Sequence, residues 1–341
     1  MSDTTLPRRR TILRAFAMSP MLLLAPMNPA GATGSSSLGS SDFAAGSMGR
    51  GGLDTVSEPN WMRDLLDSAN PTELSLVGTH DTMAYSATLI GATQDFDLAT
   101  QLRAGVRVLD IRTRHYRDAF TIHHGIEYLN ANYTDVVRTV SDFLRENPSE
   151  TVLMFMQKAH TEVENTRSYE DTLNWYIHEN PDTRDLLAEH LWTPPADYDG
   201  AIPDLGEIRG RFVIMRSFDA TGVYGPNWRR YKDSQNDWIL PSLTEMDTKW
   251  EKVRTHFERT AQGSNQTLFI NGLNATSGED LIAIASGVLP MTIAKGVPGI
   301  EGILARTEEY LRDTGTGRTG IVMADFPTAE LVESVIARNF S

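Results

Sequence analysis

Two histidines stand where short apolar runs end. Leu74 to Thr79 is such a run, and it stops abruptly in Gly78-Thr79-His80-Asp81. A second, VRVLDIRTR, carries Asp110 and Arg112 in its closing half, and a third element closes on Ile122-His123-His124-Gly125. Imidazoles, carboxylates and a guanidinium at strand ends are the groups needed to cleave a phosphate diester by internal attack of a neighbouring hydroxyl. That reaction wants one neutral imidazole and one imidazolium on opposite sides of phosphorus, and histidine, with an unperturbed pKa of ~6.5, supplies both near neutrality. Such acid–base help is typically worth ~10²–10⁴-fold. A carboxylate beside each ring fixes its tautomer and supports its charged form. Arginine presents a planar fork matched to two phosphate oxygens, and its fixed charge does electrostatic work otherwise done by a metal.

Strand alternation sharpens these assignments. Asp110 and Arg112 are two apart, so they share a face. His123 and His124 are adjacent and face opposite sides, so one of them is structural. Asp325 closes the last apolar run; its alternative role is to cap a helix beginning near Ala329.

The elements that must position these groups are six buried strands, read at 74–79, 106–113, 151–157, 212–217, 267–273 and 320–325. Each is short, apolar and often β-branched, the pattern of parallel strands covered on both faces. Helices alternate with them. Tyr133 to Glu146 places Val136, Val137, Val140, Phe143 and Leu144 on one face and ends at Asn147-Pro148. Ala329 to Asn339 reads as another helix, and a short amphipathic one is read around Trp61 and Leu65-Leu66. Alternation predicts an α/β fold with a parallel sheet. Polar residues concentrated at strand C-termini favour a (β/α) barrel over an open sheet. Six strands fall short of eight, so the expected fold is a single irregular, distorted TIM barrel.

The chain has 341 residues, no cysteine and a net charge of −14. Residues 1–32 read as a secretory signal: Arg8-Arg9-Arg10, an apolar stretch from Ile12 to Met27, then Ala30-Gly31-Ala32 as the cleavage site. The paired arginines suggest the twin-arginine route. Pro20, Pro26 and Pro29 interrupt a stretch shorter than the ~20 residues a spanning helix needs. Residues 33–56 are rich in Ser, Gly and Ala and read as a flexible linker, leaving 57–341 as one catalytic domain without internal repeats. The leader carries four Arg and one Asp, so the chain without it has a charge of −17. That excess of acid argues against nucleic acid as a partner and against strong non-specific attraction to anionic membranes. Lacking cysteine, an exported chain must be stabilised by its core rather than by disulfides, and thiolate nucleophiles, thiolate metal sites and lipoprotein anchoring are excluded.

GTHD at 78–81, VLDIRTR at 108–114, IHHG at 122–125 and NPSET at 147–151 before VLMFMQK together resemble the X-type catalytic domain of bacterial phosphatidylinositol-specific phospholipase C. The likeness is strong over 70–160 and looser over 205–341. It implies a distorted TIM barrel, cleavage of phosphatidylinositol to diacylglycerol and a cyclic inositol phosphate, transient action at a membrane surface, and no cofactor. It implies that His80 is the general base, with Asp325 as its acidic partner. His124 is the general acid, with Asp81 as its partner. Arg112 stabilises charge on the phosphoryl oxygens and Asp110 orients it. Some relatives bind calcium near that place; Arg112 occupies it here, so the expectation is no metal. For the inositol ring the resemblance implies Arg216, Trp238 and either Asn236 or Asp237. In MFMQKAH, Gln157 stands where the family often has lysine, and Ala159 where it has glutamate. Lys158 faces away from Gln157 if the strand alternates, although both are carried as candidate substrate contacts. The loss of that charge pair leaves substrate identity open.

Two apolar stretches, Met83 to Ile90 and Ser286 to Ile300, are candidates for bilayer contact, with Leu289 and Met291 as the expected rim of the second. Neither spans a membrane; each permits reversible surface contact. The leading reading is a secreted, monomeric, metal-independent phospholipase C acting on phosphatidylinositol or a glycosyl-phosphatidylinositol anchor. Two rivals remain: a phosphodiesterase for a soluble or non-inositol diester, and a non-catalytic barrel that binds lipid or sugar.

Overall fold

In the computed structural model, residues 51–315 and 317–341 are described. The expected leader and most of the expected linker lie outside them. Eleven strands are present among the described residues: β1 Leu76–Thr79, β2 Val108–Tyr116, β3 Ala119–His124, β4 Glu127–Asn132, β5 Thr151–Lys158, β6 Arg211–Arg216, β7 Lys232–Gln235, β8 Leu268–Gly272, β9 Gly296–Val297, β10 Ile300–Glu301 and β11 Ile321–Ala324. Ten α-helices accompany them: α1 Leu98–Ala104, α2 Tyr133–Glu146, α3 Tyr169–His178, α4 Arg184–His190, α5 Leu205–Ile208, α6 Met246–Gln262, α7 Leu281–Ala285, α8 Pro290–Lys295, α9 Ile303–Thr314 and α10 Ala329–Ala337.

Seven parallel strands run side by side in the order β6-β5-β2-β1-β11-β8-β7. The antiparallel hairpin β3–β4 extends β2 beyond the sheet, and β9–β10 form a separate small hairpin. No backbone ladder joins β6 to β7 among the described residues, so the barrel has a seam. The chain just before β7 fills it. Arg216 N–H donates to Pro226 O at 2.8 Å, and the Trp228 ring meets Phe155 edge-on, centroids 5.0 Å apart.

Register fixes what faces inward. Gly78, Val108, Leu153 and Val213 lie side by side across β1, β2, β5 and β6, and Met323 and Gly272 continue the same level on the other side. Gly78 lets this level pack closely: a Cβ there would lie 3.1 Å from both the Met323 and Val108 side chains, which would have to give way. One step further along the strands, the same parity brings His80, Asp110, Phe155 and Asp325 to one level. The outer face of the sheet is covered by helices. Val136, Val137, Val140, Phe143 and Leu144 of α2 are all buried, as their spacing predicts. At the opposite end of the barrel the fully buried Arg107 guanidinium pairs with Glu150 at 2.8 Å and donates to the Leu102, Val106 and Pro59 carbonyls.

Three expectations change and one alternative is set aside. The packed body begins before Ser57: Leu53 and Val56 are buried, and Ala329 N–H donates to Gly51 O at 3.0 Å. An apolar pair in an otherwise small-residue segment is enough to tie residues 51–56 down. The region at Trp61 is a 3-10 turn, Trp61–Asp64, rather than an amphipathic helix. A seventh stave, β7, joins the six that were expected. Asp325 does not cap α10; Thr328 does, accepting from Leu331 N–H at 3.1 Å.

Candidate active site

A cavity of about 280 Å³ opens at the C-terminal ends of the parallel strands, lined on one side by His80, Asp110, Arg112 and His124 and on the other by Asn236, Trp238, Asn274 and Thr276. The phosphate-type chemistry therefore comes from β1–β3 and the polar, aromatic wall from the chain around β7 and β8.

His80 Nδ1 lies 2.8 Å from Asp325 Oδ1, and its Nε2 lies 2.7 Å from Arg112 Nη2. Because guanidinium only donates, Nε2 accepts and the ring proton sits on Nδ1, toward Asp325. That is the tautomer of a general base with its lone pair in the cavity. Burial pushes the His80 pKa down, Asp325 pulls it up against Arg112, Asp81 adds to the pull, and the result lies above the usual histidine value.

Asp81 ties the two histidines together. Its Oδ1 forms an ion pair with Arg112, 2.8 Å from Nε. Its Oδ2, buried and without a hydrogen-bond partner, lies 3.6 Å from His80 Nε2 and 3.3 Å from His124 Nε2. The two Nε2 atoms are thus no further apart than those distances laid end to end. A single phosphate with a hydrogen bond of about 2.8 Å on either side bridges such a gap. Burial, only partly offset by Arg112 and His80, raises the Asp81 pKa.

Asp110 Oδ2 accepts from Arg112 Nε and Nη2 at 3.1 and 3.0 Å and from Asp81 N–H at 3.1 Å, while Oδ1 accepts from Gln157 Nε2 at 2.6 Å. Burial opposes its ionisation, but Arg112, His80 and these donors hold its pKa below the usual carboxylate value. Arg112 in turn is partly buried between two carboxylates, which raise its pKa despite desolvation, so it is charged throughout any working range.

His124 Nδ1 donates to Gly91 O at 2.7 Å, turning Nε2 toward Asp81. The approach is close: a Cβ on Gly91 would sit 2.7 Å from Glu127 Oε2 and 3.2 Å from this Nδ1. His123 is the structural member of the pair, buried against Tyr128 with ring centroids 5.5 Å apart.

Backbone strain accompanies these carboxylates. Asp81 has φ 42° and Phe326, following Asp325, has φ 49°, a region costly for residues with side chains. The turn after β1 is pinned by Thr82, whose hydroxyl accepts from Asp110 N–H at 2.8 Å and whose N–H donates to Asp110 O at 3.1 Å. Thr93 and Gln94 both donate side-chain hydrogen bonds to His80 O.

Residues 72–217 match the family described as "Phosphatidylinositol-specific phospholipase C, X domain". Residues 72–217 form a phospholipase C X domain. A 1-phosphatidylinositol phosphodiesterase of Listeria monocytogenes is 27% identical over 302 residues, covering 84% of this chain and 86% of its own. One of Staphylococcus aureus is 26% identical over 249 residues, covering 65% and 77%. Among solved structures, a phosphatidylinositol-specific phospholipase C of Staphylococcus aureus superposes with a TM-score of 0.69 at 20% identity, over 84% of this chain and 99% of that one. The Listeria monocytogenes phosphatidylinositol-specific phospholipase C gives 0.62 at 24%, over 83% and 99%. These likenesses fix the fold, a distorted barrel.

Not every residue carried over from the X-domain family reaches the cavity. His80, Asp110, Arg112, His124, Gln157, Asn236 and Trp238 line it, and Asp81 and Asp325 stand behind the histidines. Arg216 does not line it. It is in register with Met156 and Ile111, the outward-facing neighbours, and Met215 holds the inward position; its Nη1 donates to Phe218 O at 2.9 Å. Lys158 also faces away, paired with Glu162 at 3.0 Å and lying over the Tyr169 ring. Asp237 does not line the cavity and pairs with Lys252, whereas Asn236 and Trp238 line it. Leu289 and Met291 are half-buried, Leu289 at the N-cap of α8 and Met291 packed on the core. Exposed apolar side chains lie elsewhere: Leu281 at 78% and Ile282 at 80% on α7, Leu89 and Ile90 just before Gly91, and Ile126 two residues after His124. Sequence reasoning missed Asn274 and Thr276; the polar run Asn274-Ala275-Thr276-Ser277 after an apolar strand was the signal available.

Proposed function

We propose that the protein is a phosphatidylinositol-specific phospholipase C that works without a metal ion. The observation that supports it most is that His80 and His124 Nε2 lie 3.6 and 3.3 Å from the same oxygen, Asp81 Oδ2, beside a guanidinium. His80 Nε2 takes the proton of the inositol 2-hydroxyl, and that oxygen attacks phosphorus. The bond to the diacylglycerol oxygen breaks, and His124 Nε2 gives that oxygen its proton. The products are diacylglycerol and a five-membered cyclic inositol phosphate. Arg112, freed from His80 Nε2 by the incoming phosphate, donates to the phosphoryl oxygens as charge builds. Asp325 holds the base in its accepting tautomer; Asp81 faces the acid and keeps Arg112 in place. A cation between Asp81 and Asp110 would have to displace the guanidinium that is ion-paired with both, and this supports metal independence.

The wall of Asn236, Trp238, Asn274 and Thr276 offers amides, a hydroxyl and an indole face, chemistry suited to a polyhydroxylated ring, free or as part of a glycosyl-phosphatidylinositol anchor. Ile126 lies two residues after His124, Leu89 and Ile90 precede Gly91, whose carbonyl accepts from His124 Nδ1, and Leu281 and Ile282 follow the segment of Asn274 and Thr276, which is bonded to the strip that carries Trp238. Ile239 of that strip packs so closely on Gly278 that a Cβ there would meet it at 2.9 Å. These apolar outcrops flank the mouth and suit brief contact with a bilayer, replacing Leu289 and Met291 in that role. The same reading has residues 1–32 exporting the chain by the twin-arginine route.

One assay tests the reaction. The protein is mixed with phosphatidylinositol vesicles and a chelator, and products are followed by phosphorus NMR. A cyclic phosphate resonance is expected, unchanged when calcium is restored. Activity that appears only with calcium overturns metal independence. Turnover of glycerol or choline phosphodiesters instead favours the soluble-diester rival.

A further inference from the structure

Lys249 lies on α6, is fully buried, and has no carboxylate partner among the described residues. Its ammonium donates to three backbone carbonyls: Asp237 O at 2.8 Å, Gly272 O at 2.7 Å and Asn274 O at 3.2 Å. Three protons meet three acceptors, so its hydrogen-bonding capacity is filled. Burying an ammonium on carbonyl dipoles alone is costly. The cost shows in its pKa, which burial pushes down to about 8 although Asp237 and Asp325 resist.

The three carbonyls belong to two separate segments. Asp237 sits between Asn236 and Trp238, both of which line the cavity, and Gly272 and Asn274 line it from the neighbouring segment. The β7–β8 ladder joins the two segments at their start, as far as Gln235 and Asn271, where Gln235 Nε2 also donates to Asn271 Oδ1 at 3.1 Å; past that point the direct bonds besides those of Lys249 are Gln235 Nε2 to Gly272 O at 3.0 Å, Thr276 N–H to Trp238 O at 2.8 Å and Leu240 N–H to Thr276 O at 2.8 Å. None of the phosphate-handling residues bonds to Lys249. We infer that Lys249 is a positioning residue for head-group recognition, clamping the Asn236–Trp238 strip to the Gly272–Asn274 segment so that both present one rigid wall to the inositol ring. This rests on the reading proposed above. It assigns to α6, which contributes nothing to the cavity surface, control over affinity for the ring and not over the bond-breaking step.

The test compares the wild type with Lys249→Met, which keeps the stem and removes the ammonium, and Lys249→Gln, which restores two donors. Kinetics on phosphatidylinositol in mixed micelles give KM and kcat. Fluorine NMR of the 5-fluorotryptophan protein, with the Trp238 line assigned through Trp238→Phe, reports the wall without any substrate. The expected result for Lys249→Met is a KM raised about tenfold or more, in keeping with the loss of charged hydrogen bonds. Its kcat stays within about threefold of wild type. The Trp238 line is displaced or broadened while those of Trp61, Trp175 and Trp192 hold, and Lys249→Gln recovers part of both effects. A folded Lys249→Met with unchanged KM and an unmoved Trp238 line overturns the inference, as does a fall in kcat alone. Unfolding of both variants in thermal scans makes Lys249 a general stability element and also overturns it. If the wild type makes no cyclic phosphate, the functional reading fails separately and the Trp238 line alone decides.

Discussion

Replacing Asp325 with asparagine changes one contact and has two separable consequences. In the wild type the 2.8 Å contact from Asp325 Oδ1 to His80 Nδ1 holds the ring proton on Nδ1, and Asp325 is the largest influence raising the His80 pKa against the burial that lowers it. Asparagine keeps the shape but removes the charge, and its amide can donate to Nδ1 and hold the wrong tautomer. The plateau rate should fall ~10²–10⁴-fold, the usual worth of a positioned general base. The pH profile should also move, in a direction fixed by the charges. The base works when neutral, so activity is lost as pH falls through the His80 pKa. Wild-type His80 sits above the ordinary value, so its acid limb lies above pH ~6.5. Without Asp325, burial and Arg112 outweigh Asp81, the pKa drops, and the acid limb moves to lower pH. Initial rates of cyclic phosphate formation from pH 5 to 9 measure both. A variant with near-normal plateau rate, or an acid limb that stays put or moves upward, refutes the assignment of His80 as base and Asp325 as its partner.

Arg112→Lys should cost ~10²–10³ in kcat, because one ammonium cannot reach Asp81, Asp110 and a phosphate oxygen together; full activity in chelator, or rescue by calcium, contradicts the role given to the fork. Leu281→Ser with Ile282→Ser should weaken sedimentation with phosphatidylinositol vesicles about tenfold or more, since each side chain loses most of ~1.5–3 kcal/mol of transfer free energy, while turnover of a monomeric, water-soluble inositol phosphodiester stays unchanged. Equal loss on both substrates would mean that α7 shapes the site and does not dock the membrane. Glu150→Ala leaves the Arg107 guanidinium buried without its partner and should lower unfolding free energy by roughly 3–5 kcal/mol in urea titration, with kcat preserved; a change under about 1 kcal/mol would show that the surrounding carbonyls suffice.

The catalytic cluster was legible because its groups follow strands that announce themselves. β1, β2, β5, β6, β8 and β11 are apolar and often β-branched since both of their faces are covered, and the end of such a run marks the rim. Lys232–Gln235 carries no such mark: β7 borders the seam, has one neighbour, and can be polar throughout. Arg216 misled because its place at the end of β6 says nothing of parity. Only register with Met156 and Ile111 reveals that it faces out. Asp325 was ambiguous between cap and catalytic partner until Thr328 was seen capping α10. The apolar run of α7 reads like any buried helix face, and its exposure follows from where the loop after Gly278 leaves it. Lys249 was invisible for a related reason. A lone lysine on an amphipathic helix gives no hint that three carbonyls converge on it.

The central claim is that His80 and His124 flank one phosphate with Arg112 beside it. A structure of the protein with inositol 1,2-cyclic phosphate bound measures this directly. The account predicts His80 Nε2 and His124 Nε2 each within hydrogen-bond distance of different phosphate oxygens, with the Arg112 fork on the phosphate and the ring against Trp238. A phosphate held by only one imidazole, or seated away from Arg112, would contradict it.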